Sequence, residues 1–113
     1  MTPLQYHFER KTIWENEPPR AVMTVEKPYT MLTDLGNSLD TLEAAKEALR
    51  EIKKVISGKA RKFEFGSDSC MLEVYKRTTN IHYKFGEASA SVGTERLVGL
   101  VAEWAGFLED KRR

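Results

Sequence analysis

The sequence predicts an α+β fold, a two-layer sandwich in which an antiparallel sheet of about five strands carries two helices on one face, in the order ββαβββα. Three observations lead there. Short stretches alternate apolar and polar residues with the period of a half-buried strand. Two longer stretches repeat apolar residues every three or four positions. The breaks between the later strands are short enough for hairpins. With 113 residues, 41% hydrophobic and 31% charged, the chain suits one domain over 1–113 around one core.

Leu4, Tyr6 and Phe8 alternate with Gln5, His7 and Glu9 and predict the first strand. The stretch 15–19, with Pro18 and Pro19, ends it, and Ala21, Met23 and Val25 then line one side of a second. Pairing Phe8 with Ala21, Tyr6 with Met23 and Leu4 with Val25 puts both apolar sets on one face. Residues 27–36 read as a linker. Ser38 or Asp40 caps the first helix, with Asp40-Thr41-Leu42-Glu43 as a capping box. Its apolar stripe is Leu39, Leu42, Ala45, Leu49, Ile52 and Ile56, over about five turns. Gly58 stands where a glycine stop belongs.

Three more strands follow, marked by Phe63 and Phe65, by Cys70, Leu72 and Val74, and by Ile81, Tyr83 and Phe85. Turns at 66–69 and 77–78 separate them. The expected register sets Phe65 against Cys70, Phe63 against Leu72, Val74 against Ile81, Leu72 against Tyr83 and Cys70 against Phe85. Residues 86–91 read as a loop of small residues. Thr94 is the expected N-cap of a second helix whose buried stripe is Leu97, Leu100, Val101, Trp104, Phe107 and Leu108.

Composition narrows the function. Eighteen Lys and Arg against 17 Asp and Glu leave a net charge of +1, without the basic excess of a nucleic-acid binder. No apolar run approaches the roughly 20 residues that span a bilayer, and the first seven residues lack the pattern of a signal peptide. The single cysteine excludes an intramolecular disulfide and a cysteine-based zinc cage. The expectation is a soluble, cytoplasmic, non-enzymatic protein with no cofactor, no metal and no membrane partner. Glycine-rich phosphate loops, a Gly-x-Ser-x-Gly elbow and His-Glu-x-x-His are all absent from the sequence.

His7 and His82, the only histidines, both fall on the polar side of their strands. The expected register sets His82 against Glu73 and Asn80 against Tyr75. A histidine beside a carboxylate has the makings of a general base, so a small RNA-processing enzyme is one alternative. A cross-strand polar pair on a solvated surface accounts for the same residues. Cys70 falls on the core side, as a small buried hydrophobe rather than a nucleophile. The basic run Lys53, Lys54, Lys59, Arg61 and Lys62 either complements a helix C-terminus or meets phosphates. Trp14, beside a charged, proline-containing loop, is either an anchor for a partner or a cover for a sheet edge.

The sheet face away from the helices is expected to carry Gln5, His7, Glu9, Val22, Thr24, Met71, Glu73, Tyr75, Asn80, His82 and Lys84. Polar groups mixed with Met and Tyr make a protein-binding surface, and a flat face suits a macromolecular partner better than a small substrate. The candidate partner-binding residues are Trp14, Met71, Glu73, Tyr75, Asn80, His82 and Lys84. A homodimer joined through this face or through a strand edge is a further alternative.

The stretch from Phe63 to Tyr75, the segment Ile81-His82-Tyr83-Lys84-Phe85-Gly86-Glu87, and a terminal helix with Trp104 and Phe107 resemble small bacterial α/β immunity proteins of polymorphic and contact-dependent toxin systems. Such proteins share layout and size rather than a residue signature, so no binding residue carries over. The resemblance implies a protein that binds a cognate toxin domain tightly and neutralises it. Inhibitors of nuclease toxins are often acidic, and the balanced charge here counts against simple mimicry of a nucleic acid.

Overall fold

The antiparallel strands form two sheets rather than one. In the computed structural model, which describes residues 4–12, 15–27, 29–67, 69–83 and 89–110, β1 (Tyr6–Lys11) and β2 (Arg20–Val25) make a separate hairpin. The second sheet holds β3 (Phe63–Gly66), β4 (Cys70–Val74), β5 (Thr78–Tyr83) and β6 (Ser89–Gly93), ordered β3-β4-β5-β6. Between the sheets in sequence come a 3-10 turn (Thr30–Asp34), a one-turn helix α1 (Leu35–Ser38) and the long helix α2 (Leu42–Ile56), and α3 (Thr94–Glu109) follows β6. The α+β class and the antiparallel pairing stand. The single five-stranded sheet, the order ββαβββα and the plain two-layer sandwich with two helices do not.

The stretch expected as a linker explains the division. Tyr29, Leu32 and Leu35 are buried, and the 3-10 turn packs against both β2 and β4, one strand from each sheet. Side chains therefore join the sheets where a shared ladder was expected. The approach is close at α1, where a Cβ on Gly36 would lie 3.1 Å from Met23 Cβ. The second correction is β6, expected as a loop. Its apolar positions are only Ala90 and Val92, opposite Ile81 and Thr79, and its remaining residues are Ser89, Ser91 and Gly93, so the period-two signal is faint.

Each of the three expected hairpin registers is shifted by two residues. Phe8 faces Met23, Phe65 faces Leu72, and Leu72 faces Ile81. A slip of two preserves side-chain parity, so the buried faces are the ones the alternation predicts. Phe85 lies outside the described residues.

Helix α2 is capped by Thr41, whose Oγ1 accepts from the Ala44 N–H at 3.1 Å, rather than by Ser38 or Asp40. Its buried residues are Ala45, Ala48, Ile52 and Val55, while Leu39 enters the core from the preceding loop and Leu42, Leu49 and Ile56 flank the stripe. Gly58 ends the segment at φ 87°, a left-handed position that favours glycine. Gly93, not Thr94, is the N-cap of α3. Thr94 is fully buried instead, donating to the Tyr75 carbonyl at 2.6 Å and meeting Thr79 Oγ1 at 3.0 Å. The two buried hydroxyls thus satisfy each other and fix the start of α3 on the β4–β5 turn.

Trp104 of α3 sits where these pieces meet. It is fully buried, and its indole N–H donates to the Leu39 carbonyl at 2.6 Å, tying α3 to the loop before α2. Its ring meets Phe8 edge-on at 5.1 Å and stacks with Phe107 at 6.0 Å. Around this cluster the β1–β2 hairpin is clamped onto α3. Arg10 Nη2 donates to the carbonyls of Phe107 at 3.1 Å and Asp110 at 2.9 Å, and its guanidinium lies 5.0 Å from the Phe107 ring centre. Tyr6 donates its hydroxyl to Glu103, and burial followed by that bond pushes its phenol up to about 12.

Replacing Trp104 by Phe leaves the buried Leu39 carbonyl without its donor and opens space beside Phe8. The unfolding free energy in urea is expected to fall by about 2–4 kcal/mol. A change below 0.5 kcal/mol would remove Trp104 from the centre of this packing.

Candidate functional site

Strand alternation in the four-stranded sheet sends Cys70, Leu72, Val74, Thr79, Ile81 and Val92 into the core. The opposite parity builds the outer face from Glu64, Met71, Glu73, Tyr75, Asn80, His82, Ser89 and Ser91. Five of the sequence-predicted residues, Met71, Glu73, Tyr75, Asn80 and His82, come together on this face. Trp14 and Lys84 lie outside the described residues. His7, Glu9, Val22 and Thr24 belong to the separate hairpin and are not part of this ladder.

Within the face, Met71 stands opposite His82 and Glu73 opposite Asn80, which corrects the expected pairings of His82 with Glu73 and Asn80 with Tyr75. The His82–Glu73 contact nevertheless exists, as a diagonal one, with Nε2 2.6 Å from Oε1. Its cause is visible in the β3–β4 register. Glu64 is directly opposite Glu73, and like charges at such positions repel. Each carboxylate has taken a cationic or hydrogen-bonding partner on its other side, His82 for Glu73 and Lys62 for Glu64 at 2.7 Å. The hydrogen bond to Glu64 and then its charge hold the Lys62 ammonium above its ordinary range. Ser91 Oγ donates to Asn80 Oδ1 at 3.0 Å across the β5–β6 pair.

The polar groups of the face are therefore engaged with one another, and the apolar surface is concentrated at two points. Met71 is 38% exposed and Tyr75 37%, the exposed large hydrophobic residues of the described chain. Tyr75 is held just past β4, its N–H donating to the Thr78 carbonyl at 2.9 Å. Clefts among the described residues include one of about 400 Å³ beside Arg10 and Arg20 and one of about 310 Å³ beside Asp34 and Tyr83. Neither is lined by Glu73 or His82.

The basic run is accounted for locally in part. Lys54 pairs with Glu51 at 3.1 Å, its carbonyl accepts from the Lys59 and Ala60 N–H groups, and Lys53 and Lys54 occupy the last turn of α2 where cations are favoured. Cys70 is buried, as expected, and burial followed by the nearby Asp34 charge pushes its thiol up to about 11.

One network was not foreseen. Ser67 donates its hydroxyl to Asp34, whose other oxygen accepts from Asn37 at 3.3 Å, and Ser67 Oγ accepts the Ser69 and Cys70 N–H groups at 3.2 Å each. It lashes the 3-10 turn to the β3–β4 turn. There Gly66 takes φ 134°, and a Cβ would fall 2.1 Å from the Cys70 carbonyl oxygen. A glycine followed by two nearby serines in a short turn was the available signal. The hydroxyl of Ser67 is fully used in this network, which makes it a structural pin rather than a nucleophile.

Among the described residues no group of three or more His, Cys, Asp or Glu side chains is placed to hold a metal ion, and no helix is long and apolar enough to cross a membrane. No family model matches the sequence, and neither curated proteins nor solved structures give a match.

The thiol of Cys70 supplies a check on the sheet's inner face. A rise from 9.0 to about 11 leaves roughly a hundredfold less thiolate at pH 8 than in the unfolded chain. Folded protein is expected to react with a thiol reagent at least that much more slowly than protein in urea. The raised value also stabilises the fold below pH 9, and this contribution is lost as pH rises through 11. Equal labelling rates in the two states would contradict the burial of this face.

Proposed function

We propose that this chain is a protein-binding module whose docking surface is the outer face of the four-stranded sheet, and that its partner is a toxin domain which it neutralises. The observation that carries the reading is the placement of Met71 and Tyr75. Both are exposed large apolar residues on one parity of one strand and the residue that follows it, set beside polar groups already satisfied by one another. Aromatic and Met side chains ringed by paired polar groups have the composition of a protein interface core and rim. Neither cleft reaches Glu73 or His82, which suits a macromolecular partner better than a small substrate. The identity of the partner as a toxin rests on the likeness in layout to immunity proteins.

The enzyme alternative draws on one specific observation, the 2.6 Å contact of His82 with Glu73. The opposed Glu64–Glu73 pair explains that contact without catalysis, because it turns the Glu73 carboxylate toward a hydrogen-bonding partner on its other side. A dyad on an open sheet face also lacks walls to hold a substrate. The binding reading is therefore preferred, in the compartment where a toxin of the same cell would act, the cytoplasm.

The test co-expresses the chain with the product of the adjacent upstream gene and scores co-purification and growth. Tyr75→Ala and Met71→Ala are each expected to weaken the complex by about 2 kcal/mol, roughly thirtyfold, with unchanged unfolding midpoints. Glu73→Lys is expected to weaken it as well. Full affinity in all three variants would move the interface elsewhere. A chain that forms only a homodimer and rescues no growth would replace this reading with the dimeric one.

A further inference from the structure

The four-stranded sheet ends on two strands whose outer edges differ. On β6 the hydroxyl of Tyr29, itself buried, donates to the Ser91 carbonyl at 3.2 Å and so occupies the middle of that edge. At the other end β3 is paired with β4 alone. The Ser67 N–H donates to the Cys70 carbonyl at 3.0 Å, which continues the β3–β4 register and assigns the ladder bonds toward β4 to Phe63 and Phe65. The main-chain N–H and carbonyl of Glu64 therefore face away from β4, and no hydrogen bond engages them among the described residues.

Charge decides what such an edge admits. Lys59, Arg61 and Lys62 directly precede β3, and Lys53 and Lys54 lie in the last turn of α2. Lys54 pairs with Glu51 and Lys62 with Glu64, which leaves Lys53, Lys59 and Arg61 exposed and without an ion pair among the described residues. Short length and lysines commonly guard an edge strand against pairing with its own copies, and β3, only four residues long, has both. The same positive charge attracts an acidic strand. Glu64 is itself held by Lys62 at 2.7 Å, which limits its repulsion of such a partner. A nucleic acid would meet the cations but gain nothing from the free main-chain groups, and the net charge of +1 argues against it.

We infer that the edge of β3 takes up an acidic extended peptide segment as an added strand, its main chain paired with Glu64 and its carboxylates met by Lys59 and Arg61. Strand addition of this kind draws affinity from main-chain hydrogen bonds and specificity from the side chains beside them.

The full-length chain is titrated with a blocked peptide of alternating glutamate and valine, following backbone amide shifts. The controls are the same peptide with lysine for glutamate, the acidic peptide N-methylated throughout, and single-stranded oligothymidylate. The acidic peptide is expected to bind saturably with shifts centred on 59–66, and each control to bind at least about tenfold more weakly. Arg61→Glu is expected to weaken the acidic peptide by a similar factor. Glu64→Pro is expected to do the same, because the N–H it removes is not a ladder donor to β4. Absent or non-saturable shifts with the acidic peptide overturn the inference. So does equal binding of the N-methylated peptide, which would reduce the contact to charge, equal binding of the lysine peptide, or tighter binding of oligothymidylate. An Arg61→Glu variant that binds as well as the parent, or a free chain already dimerised through β3, overturns it too. These outcomes leave the sheet-face interface unaffected, because the toxin partner takes no part in them.

Discussion

The structure depends on one buried tryptophan that is asked to satisfy two conditions. Trp104 must fill the space under the β1–β2 hairpin, and it must place its N–H within reach of the Leu39 carbonyl. The first condition fixes the hairpin against α3 through Phe8 and Phe107. The second fixes the loop before α2, and with it the helix that packs alongside α3. A polar atom in so large a buried side chain admits few placements, because an unmet donor in the core costs about as much as several good surface contacts gain. Tyr6 and Arg10 then close the hairpin over the cluster from either side.

This arrangement frees the outer face of the four-stranded sheet from structural duty. The core is closed by the inner parity of β3 to β6, by α2 and by α3, so Met71 and Tyr75 contribute little to it. The ion pairs of the outer face are solvent-exposed and worth about 0–1 kcal/mol each. What they do is give Glu64 and Glu73, which register forces together, a polar partner each, Lys62 and His82. A face whose polar groups are engaged with one another leaves few unpartnered ones for a docking partner to strip of water. On the proposed reading, affinity for a partner rests on apolar contact and shape.

Much of this was legible in the sequence, for a physical reason. Parity is a local property, and it survived register shifts of two residues in all three expected hairpins. Cys70, Leu72, Val74 and Ile81 therefore point inward, and Glu73 and His82 outward, as the alternation implies. The stripe of α3 was readable because its residues are large. What was illegible depends on small residues or on distant ones. The Ser, Ala and Gly of β6 carry almost no pattern. Residues 27–36 are mixed in polarity, and only the tertiary structure shows that Tyr29, Leu32 and Leu35 all turn inward. The Asp34–Ser67 bond joins residues 33 positions apart, and the cleft near Arg20 draws on three distant segments. Neither has a local signature.

The central claim, that the outer sheet face is the docking surface, is tested most directly by oxidative footprinting of the chain alone and in complex with its co-purified partner. Met71 and Tyr75 are exposed in the free chain, and Met23, buried to 1% exposure, serves as the internal reference. The account predicts that partner binding sharply slows oxidation of Met71 and Tyr75 together and leaves Met23 unchanged. Undiminished oxidation of both residues in a stable complex would contradict it.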